Sequence, residues 1–92
     1  MMPLAQQDRL RITFSVMVDN LEPDDVINEL HSARVLTSTD VNNIKSGPYR
    51  QLKVETLIHL LRRKDAKAFC EFMKALEKTE QYHLYNLIIN EN

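Results

Sequence analysis

One cysteine and three histidines are the side chains with the greatest capacity for nucleophilic or metal chemistry. They are Cys70, His31, His59 and His83. A thiol becomes a nucleophile when an imidazole removes its proton, and zinc needs about four such ligands at short paired spacings. No local motif joins these residues, and Cys70 lies in an apolar segment, where a free cysteine is typical of a small buried hydrophobe. The sequence therefore predicts no catalytic residue and no metal site.

Two other kinds of site are disfavoured by residue spacing. Asp24 and Asp25 are adjacent, so on a helix their carboxylates point in different directions, which suits a helix start better than acid–base catalysis. The chain has one glycine and therefore no glycine-rich loop that could hold phosphate. We expect a non-catalytic protein without a cofactor.

Charge is distributed unevenly along the chain, although the formal net charge is only −1. Residues 12–33 contain five acidic side chains and no Lys or Arg, whereas residues 45–67 are rich in Lys and Arg. Such a division is compatible with ordinary solvated helix faces, and it is equally compatible with complementary patches that orient protein partners, including copies of the same chain. The near-neutral total argues against general attraction to nucleic acid or to an acidic membrane.

Length and composition favour a single helical domain. The chain has 92 residues with one Gly, three Pro and no Trp, and it is rich in Leu, Ile, Lys and Glu. We therefore predict one all-α domain over residues 1–92. No apolar run is long enough to span a bilayer, Met1 to Gln7 lacks the features of a secretory signal, and a single cysteine suits a reducing compartment. The expected location is the cytoplasm, without membrane contact.

Two apolar stripes separated by a charged corner predict a helical hairpin over residues 57–76. Asp65 is expected to cap the second helix, and Arg62 to Lys64 suit the negative end of the first helix dipole. The stripes have helical spacing. They consist of Val54, Leu57, Ile58 and Leu61 on the first helix, and Phe69, Phe72, Met73 and Leu76 on the second.

Capping and periodicity predict four more helices around this hairpin. The first is expected to be bent or apolar over a wide arc, with Met1 to Gln7 as a lead-in. The last is expected to be capped by Thr79. The predicted order is Asp8 to Asn20, Pro23 to Ser32, a short helix after Thr37, Pro48 to Arg63, Asp65 to Leu76, and a sixth helix after Thr79 that includes Leu84, Leu87 and Ile88.

The hairpin and its surroundings resemble the caspase-recruitment domain family. The segment AFCEFMKAL at residues 68–76, followed by EKTE at residues 77–80, is similar to the fifth helix and following corner of that family. Residues 25–30 and 35–41 resemble its second and third helices, and the agreement extends from about Asp8 to Ile88. The family commonly has Gly-Pro at the corner where this chain has Asp65-Ala66. The resemblance implies a six-helix antiparallel bundle of the death-fold type with a bent first helix.

The same resemblance implies a homotypic interaction module that recruits apoptotic or inflammatory signalling components. Its partners would be other caspase-recruitment domains, in a caspase, an adaptor or a nucleotide-binding sensor, and it could self-associate into oligomers or filaments. It would have no catalytic residue, although the parent protein could be a caspase with this domain as its prodomain. By analogy with relatives, the implied acidic face is Asp24, Asp25, Glu29 and Asp40, and the implied basic face is Arg9, Arg11, Arg50 and Lys53, interrupted by Glu55.

Two alternatives remain open at the level of sequence. Another death-fold subfamily would keep the architecture and change the partner class, but the Arg-x-Asp-Leu signature of death-effector domains is missing near the last helices. A small helical nucleic-acid module is the other alternative, because two short helices joined by a turn can read a groove. The near-neutral charge disfavours it.

Overall fold

The computed structural model describes residues 1–90, so the last two residues of the predicted domain lie outside the described range. The described residues form seven helices and no strand, which confirms the all-α prediction. The helices are α1 (Leu4–Ile12), α2 (Phe14–Asn20), α3 (Pro23–Ser32), α4 (Ser38–Lys45), α5 (Arg50–Arg62), α6 (Ala66–Lys78) and α7 (Tyr82–Asn90).

The predicted bend of the first helix is present as a break between α1 and α2. Thr13 lies at the break and is 2% exposed, and its hydroxyl donates a hydrogen bond to the carbonyl of Arg9 (2.7 Å). A threonine that bonds back to the carbonyl four residues earlier bends a helix. Helix α1 packs against α5 and α7, whereas α2 packs mainly against α5.

The N-terminal residues are more ordered than the predicted lead-in. Helix α1 begins at Leu4, four residues earlier than expected, and Met2 is buried in the core with 1% exposure. The side-chain amide of Gln7 donates a hydrogen bond to the carbonyl of Met2 (2.7 Å), which holds the chain end against the first helical turn. The lead-in prediction for Met1 to Gln7 is therefore wrong.

Helix α2 is antiparallel to α5. At one end of the α2–α5 pair the rings of Phe14 and His59 lie 5.5 Å apart, and at the other end the side chain of Arg50 reaches the last carbonyls of α2. Helix α4 is antiparallel to α3 and to α5. Lys45 at its end contacts Asn28 of α3 (3.0 Å).

Helix α3 is also antiparallel to α6, and a buried glutamine fixes the register at one end. Gln81, 7% exposed, precedes α7. Its side-chain oxygen accepts from the backbone N–H of Glu22 (2.8 Å), and its nitrogen donates to the Glu22 carbonyl (3.1 Å) and to the hydroxyl of Thr79 (2.8 Å). This amide satisfies backbone groups that would otherwise be buried without partners.

The core is built on the predicted hairpin. All the residues of its two apolar stripes are buried, the most exposed being Phe69 and Met73 at 7%. Asp65 caps α6 as expected, because its carboxylate accepts from the backbone N–H of Ala68 (3.1 Å). Thr79 does not cap the last helix. Its hydroxyl donates to the carbonyl of Ala75 (2.8 Å) at the end of α6, and Gln81 is the residue before α7.

Candidate interaction surfaces

Cys70 is exposed on α6, so the expectation of a buried cysteine is wrong. His59 stacks at an angle on Phe14, and a ring nitrogen of His31 lies 3.4 Å from the hydroxyl of Ser38. Neither contact involves the thiol. Among residues 1–90, no group of three or more His, Cys, Asp or Glu side chains is arranged to hold a metal ion.

Asp40, predicted on the acidic face, serves mainly as a helix cap. It accepts a hydrogen bond from the backbone N–H of Thr37 (3.0 Å), and the Thr37 hydroxyl accepts from the N–H of Asp40 (3.0 Å). Lys64 forms an ion pair with the same carboxylate (3.3 Å). The Thr37 hydrogen bond, together with Lys64, lowers the pKa of Asp40 despite partial burial. Both contacts are made by Oδ2, and only 17% of the side chain is exposed, so a partner has limited access to this carboxylate.

Arg50, predicted on the basic face, closes the end of α2. Its guanidinium donates to the carbonyls of Val18 (3.0 Å), Leu21 (3.0 Å) and Asp19 (2.9 Å). The last carbonyls of a helix lack partners within the helix, and a cation there also interacts favourably with the helix dipole. Arg50 therefore has a structural role that its place in the sequence does not reveal.

The predicted acidic and basic faces meet between α3 and α5. Lys53 of the basic set lies 3.8 Å from Asp24 of the acidic set, and the Asp24 side chain is 68% exposed. Arg11 has an exposed partner of its own, Asp8, at 3.5 Å. Both pairs are accessible to solvent, so a protein partner can replace them at small cost.

Asp25, Glu29 and Arg9 complete the predicted sets. Asp25 is exposed in the first turn of α3 and forms no ion pair with any of residues 1–90. Glu29 is one turn further along α3 and pairs with Lys78 of α6 (3.5 Å). Arg9 is half-buried in the last turn of α1 and has no ion pair among the described residues. Within the predicted acidic face, Asp25 is thus the residue with the greatest freedom to bind a partner.

Acidic and basic side chains also collect at opposite ends of the α3–α6 pair. Where α2 and α6 end, on either side of the Gln81–Glu22 contact in the sequence, there are four exposed acidic side chains in addition to Asp24 and Asp25 of α3. At the opposite end of the α3–α6 pair, five basic side chains gather at the corners. We name these groups the acidic end and the basic end. The acidic end comprises Asp19, Glu22, Glu77 and Glu80, and the basic end comprises Arg34, Arg62, Arg63, Lys64 and Lys67.

None of the helices in residues 1–90 has the length and apolar character needed to cross a bilayer.

Comparison with known proteins identifies the family. A family model described as the caspase recruitment domain matches residues 7–91. A search of curated proteins found no match to the chain. The family consists of non-catalytic, death-fold helical bundles that bind other caspase recruitment domains in apoptotic and inflammatory signalling. The family match covers nearly the whole chain and agrees with its all-helical structure, so this chain belongs to the caspase recruitment domain family.

Proposed function

We propose that this domain associates with other caspase recruitment domains, and with copies of itself, through an acidic surface on α3 and a basic surface on α1 and α5. The acidic surface consists of Asp24, Asp25 and Glu29. The basic surface consists of Arg9, Arg11 and Lys53. The family resemblance adds Asp40 and Arg50 to these faces. We leave them out of the contact surfaces, because Asp40 caps the start of α4 and Arg50 caps the end of α2.

The observation that carries this proposal is the position of Asp25. Its carboxylate is exposed at the start of α3 and has no ion pair in residues 1–90, whereas most other predicted face residues have partners within the chain. A side chain without an internal partner gains most from an external cation. The basic residues of α1 lie on a helix that packs against α5 and α7, whereas α3 packs against α4, α5 and α6.

Placing the two surfaces on different helices has a consequence for assembly. When the α1 surface of one copy contacts the α3 surface of another, each copy keeps one surface free. A contact of this head-to-tail type repeats, and it produces either a closed ring or an open filament according to the rotation between copies. The same surfaces would recruit a caspase, adaptor or sensor that carries a complementary domain.

Charge reversal tests the proposal. We expect Asp25→Lys to weaken association at least about tenfold, because it places like charges opposite each other. Arg11→Glu should have the same effect from the other side. Light-scattering mass against concentration measures both, and Lys74→Glu, an exposed reversal on α6 outside both surfaces, is the matched control.

Light scattering on a mixture of the two variants tests whether the two surfaces contact each other directly. Asp25→Lys and Arg11→Glu each lose self-association. In a mixed pair, however, the Arg11 surface of the first variant meets the Asp25 surface of the second, and the two altered surfaces offer a Lys–Glu contact through which assembly can continue. Recovery of the mass in the mixture supports direct contact between the surfaces. A wild-type chain that stays monomeric at every concentration, or variants that assemble like the wild type, would contradict the self-association proposal.

A further inference from the structure

We propose that the basic end of the domain binds a short soluble polyphosphate. This function is separate from association through α1 and α3. It concerns Arg34, Arg62, Arg63, Lys64 and Lys67, which lie where α3 and α5 end and α6 begins. The helix caps and corners described above bring these five cations together from three parts of the chain.

The basic end carries more positive charge than its own acidic residues neutralise. Lys64 is paired with Asp40 at 3.3 Å. Asp65 is occupied as the cap of α6, where it accepts from the N–H of Ala68. The other four cations of the basic end form no ion pair with any of residues 1–90. Like charges so arranged favour binding of a multiply charged anion.

Two clefts flank the corner between α5 and α6. One is lined by Arg34, Lys64 and Lys67, together with Val35, Asp65 and Ala68. The other is lined by Arg62 and Arg63 with His59, Gln7 and Met1. Arg63 and Lys64 are consecutive in the chain but line different clefts. A ligand with several anionic groups in a row therefore has a cation on each side of the corner.

Arg62 supplies the most direct indication of a missing acceptor. Its Nε is buried and has no hydrogen-bond partner among the described residues, although Arg62 lines the second cleft. A buried donor without an acceptor carries an energetic penalty, and a charged acceptor in the cleft would remove it by drawing the Arg62 side chain towards itself. The planar guanidinium fork presents two parallel N–H groups that match phosphate or carboxylate oxygens.

Phosphate groups fit this site better than the carboxylates of a second domain. Arg62 lines a cleft and its Nε lies below the surface, so a thin chain of phosphates can approach it more closely than the broad surface of a folded domain. A polyphosphate also places charges at successive short intervals, which suits cations supplied by neighbouring residues on both sides of a corner. The acidic end of another copy has its four carboxylates spread over the last turns of α2 and α6 and the links that follow them.

Calorimetric titration with sodium tripolyphosphate tests the proposal. The wild-type domain should bind saturably with micromolar to sub-millimolar affinity, and the amide resonances of residues around the α5–α6 corner should shift. Sodium sulfate at equal ionic strength should produce much weaker changes. Arg62→Lys keeps the charge and removes the Nε donor, so we expect it to weaken binding about tenfold, the effect of losing a charge-assisted hydrogen bond.

Further variants guard against a folding artefact and against another occupant. Arg34 and Arg63 are exposed residues that line different clefts, so Arg34→Gln and Arg63→Gln should each weaken binding without disturbing the core. Lys45→Gln, at the far end of α4, is the control and should leave binding unchanged. The proposal is overturned by absence of binding at millimolar tripolyphosphate, by equal loss in Lys45→Gln, or by an equal response to sulfate. A second copy of the domain is the other possible occupant of the basic end. In that case the amide resonances around the α5–α6 corner would shift with protein concentration and not with tripolyphosphate, and Glu77→Lys would abolish the shift. That result would also overturn the proposal.

Discussion

Asp40 shows how a surface carboxylate can be committed to its own helix. Its side chain accepts from the Thr37 N–H and pairs with Lys64, and only 17% of it is exposed. Both contacts need the ionised form. The pKa of Asp40 is therefore lower in the folded chain than its ordinary value of 3.8.

A pH dependence of stability follows from this lowered pKa. When the folded pKa lies below the unfolded one, folding favours the ionised group, so its stabilisation is complete above about pH 5 and is lost as the pH falls through the folded pKa. We expect Asp40→Asn to lower the free energy of unfolding by about 1 kcal/mol at neutral pH. The difference from wild type should shrink at low pH.

Urea unfolding at neutral and acidic pH measures this difference. Asp19→Asn is the matched control, because the Asp19 carboxylate is exposed and forms no ion pair in residues 1–90. A loss of stability in Asp40→Asn that stays constant with pH would show that the carboxylate contributes through packing rather than through its charge.

At the scale of elements, the first residue of α5 determines how α2 ends. Arg50 donates to three carbonyls of the α2 terminus, and charge-assisted hydrogen bonds of this type are stronger than neutral ones. We expect Arg50→Gln to lower the free energy of unfolding by about 2 kcal/mol. Lys53→Gln, one turn later, should cost less than about 1 kcal/mol, because its ion pair with exposed Asp24 is long and solvated.

Thermal unfolding followed by circular dichroism compares the two variants. The comparison also matters for interface mapping: a loss of partner binding in Arg50→Gln would reflect altered packing of α2, whereas the same loss in Lys53→Gln would reflect the surface. Equal melting temperatures for Arg50→Gln and wild type would contradict the structural role.

Local signals explain which elements were predictable. Helix α3 has the predicted bounds, Pro23 to Ser32, because Pro and acidic residues at its start act within one turn. The Asp65 cap likewise depends on a contact three residues away. Thr79 misled the prediction, since its hydroxyl bonds backwards to α6 as readily as it could cap α7.

Contacts between distant segments account for what the sequence could not predict. Gln81 bonds to Glu22 across 59 residues, and Arg50 reaches Val18 across 32. No periodicity or cap encodes such pairs, because they exist only after the helices have packed. The same limit applies to the candidate site. Residue type identified the charged side chains. Only the packed structure shows that Arg50 and Asp40 bond to groups within the chain and that Asp25 forms no ion pair there.

At the scale of the molecule, opposite charges are separated although their sum is nearly zero. The chain has 12 Lys and Arg against 13 Asp and Glu. Its α-carbon framework extends 33 × 26 × 21 Å, so the acidic and basic ends are divided by the length of α3 and α6. A neutral molecule with separated charges attracts a copy of itself only in certain orientations. Orientation, rather than net charge, then selects the contact.

This separation predicts that association depends strongly on salt while stability does not. The Debye length is about 30 Å at about 0.01 M ionic strength and about 8 Å at physiological ionic strength, so the fields of exposed residues such as Asp25 and Arg11 extend across a neighbouring domain only at low salt. We expect the association rate to fall at least about tenfold over this range. Helix content and melting temperature should change little, because the core is apolar and most of the ion pairs are exposed. Stopped-flow light scattering at several salt concentrations measures the rate, and Asp25→Lys should show a much smaller salt dependence than Lys74→Glu. An association rate independent of salt would mean that apolar contacts, rather than the charged surfaces of α1 and α3, bring the domains together.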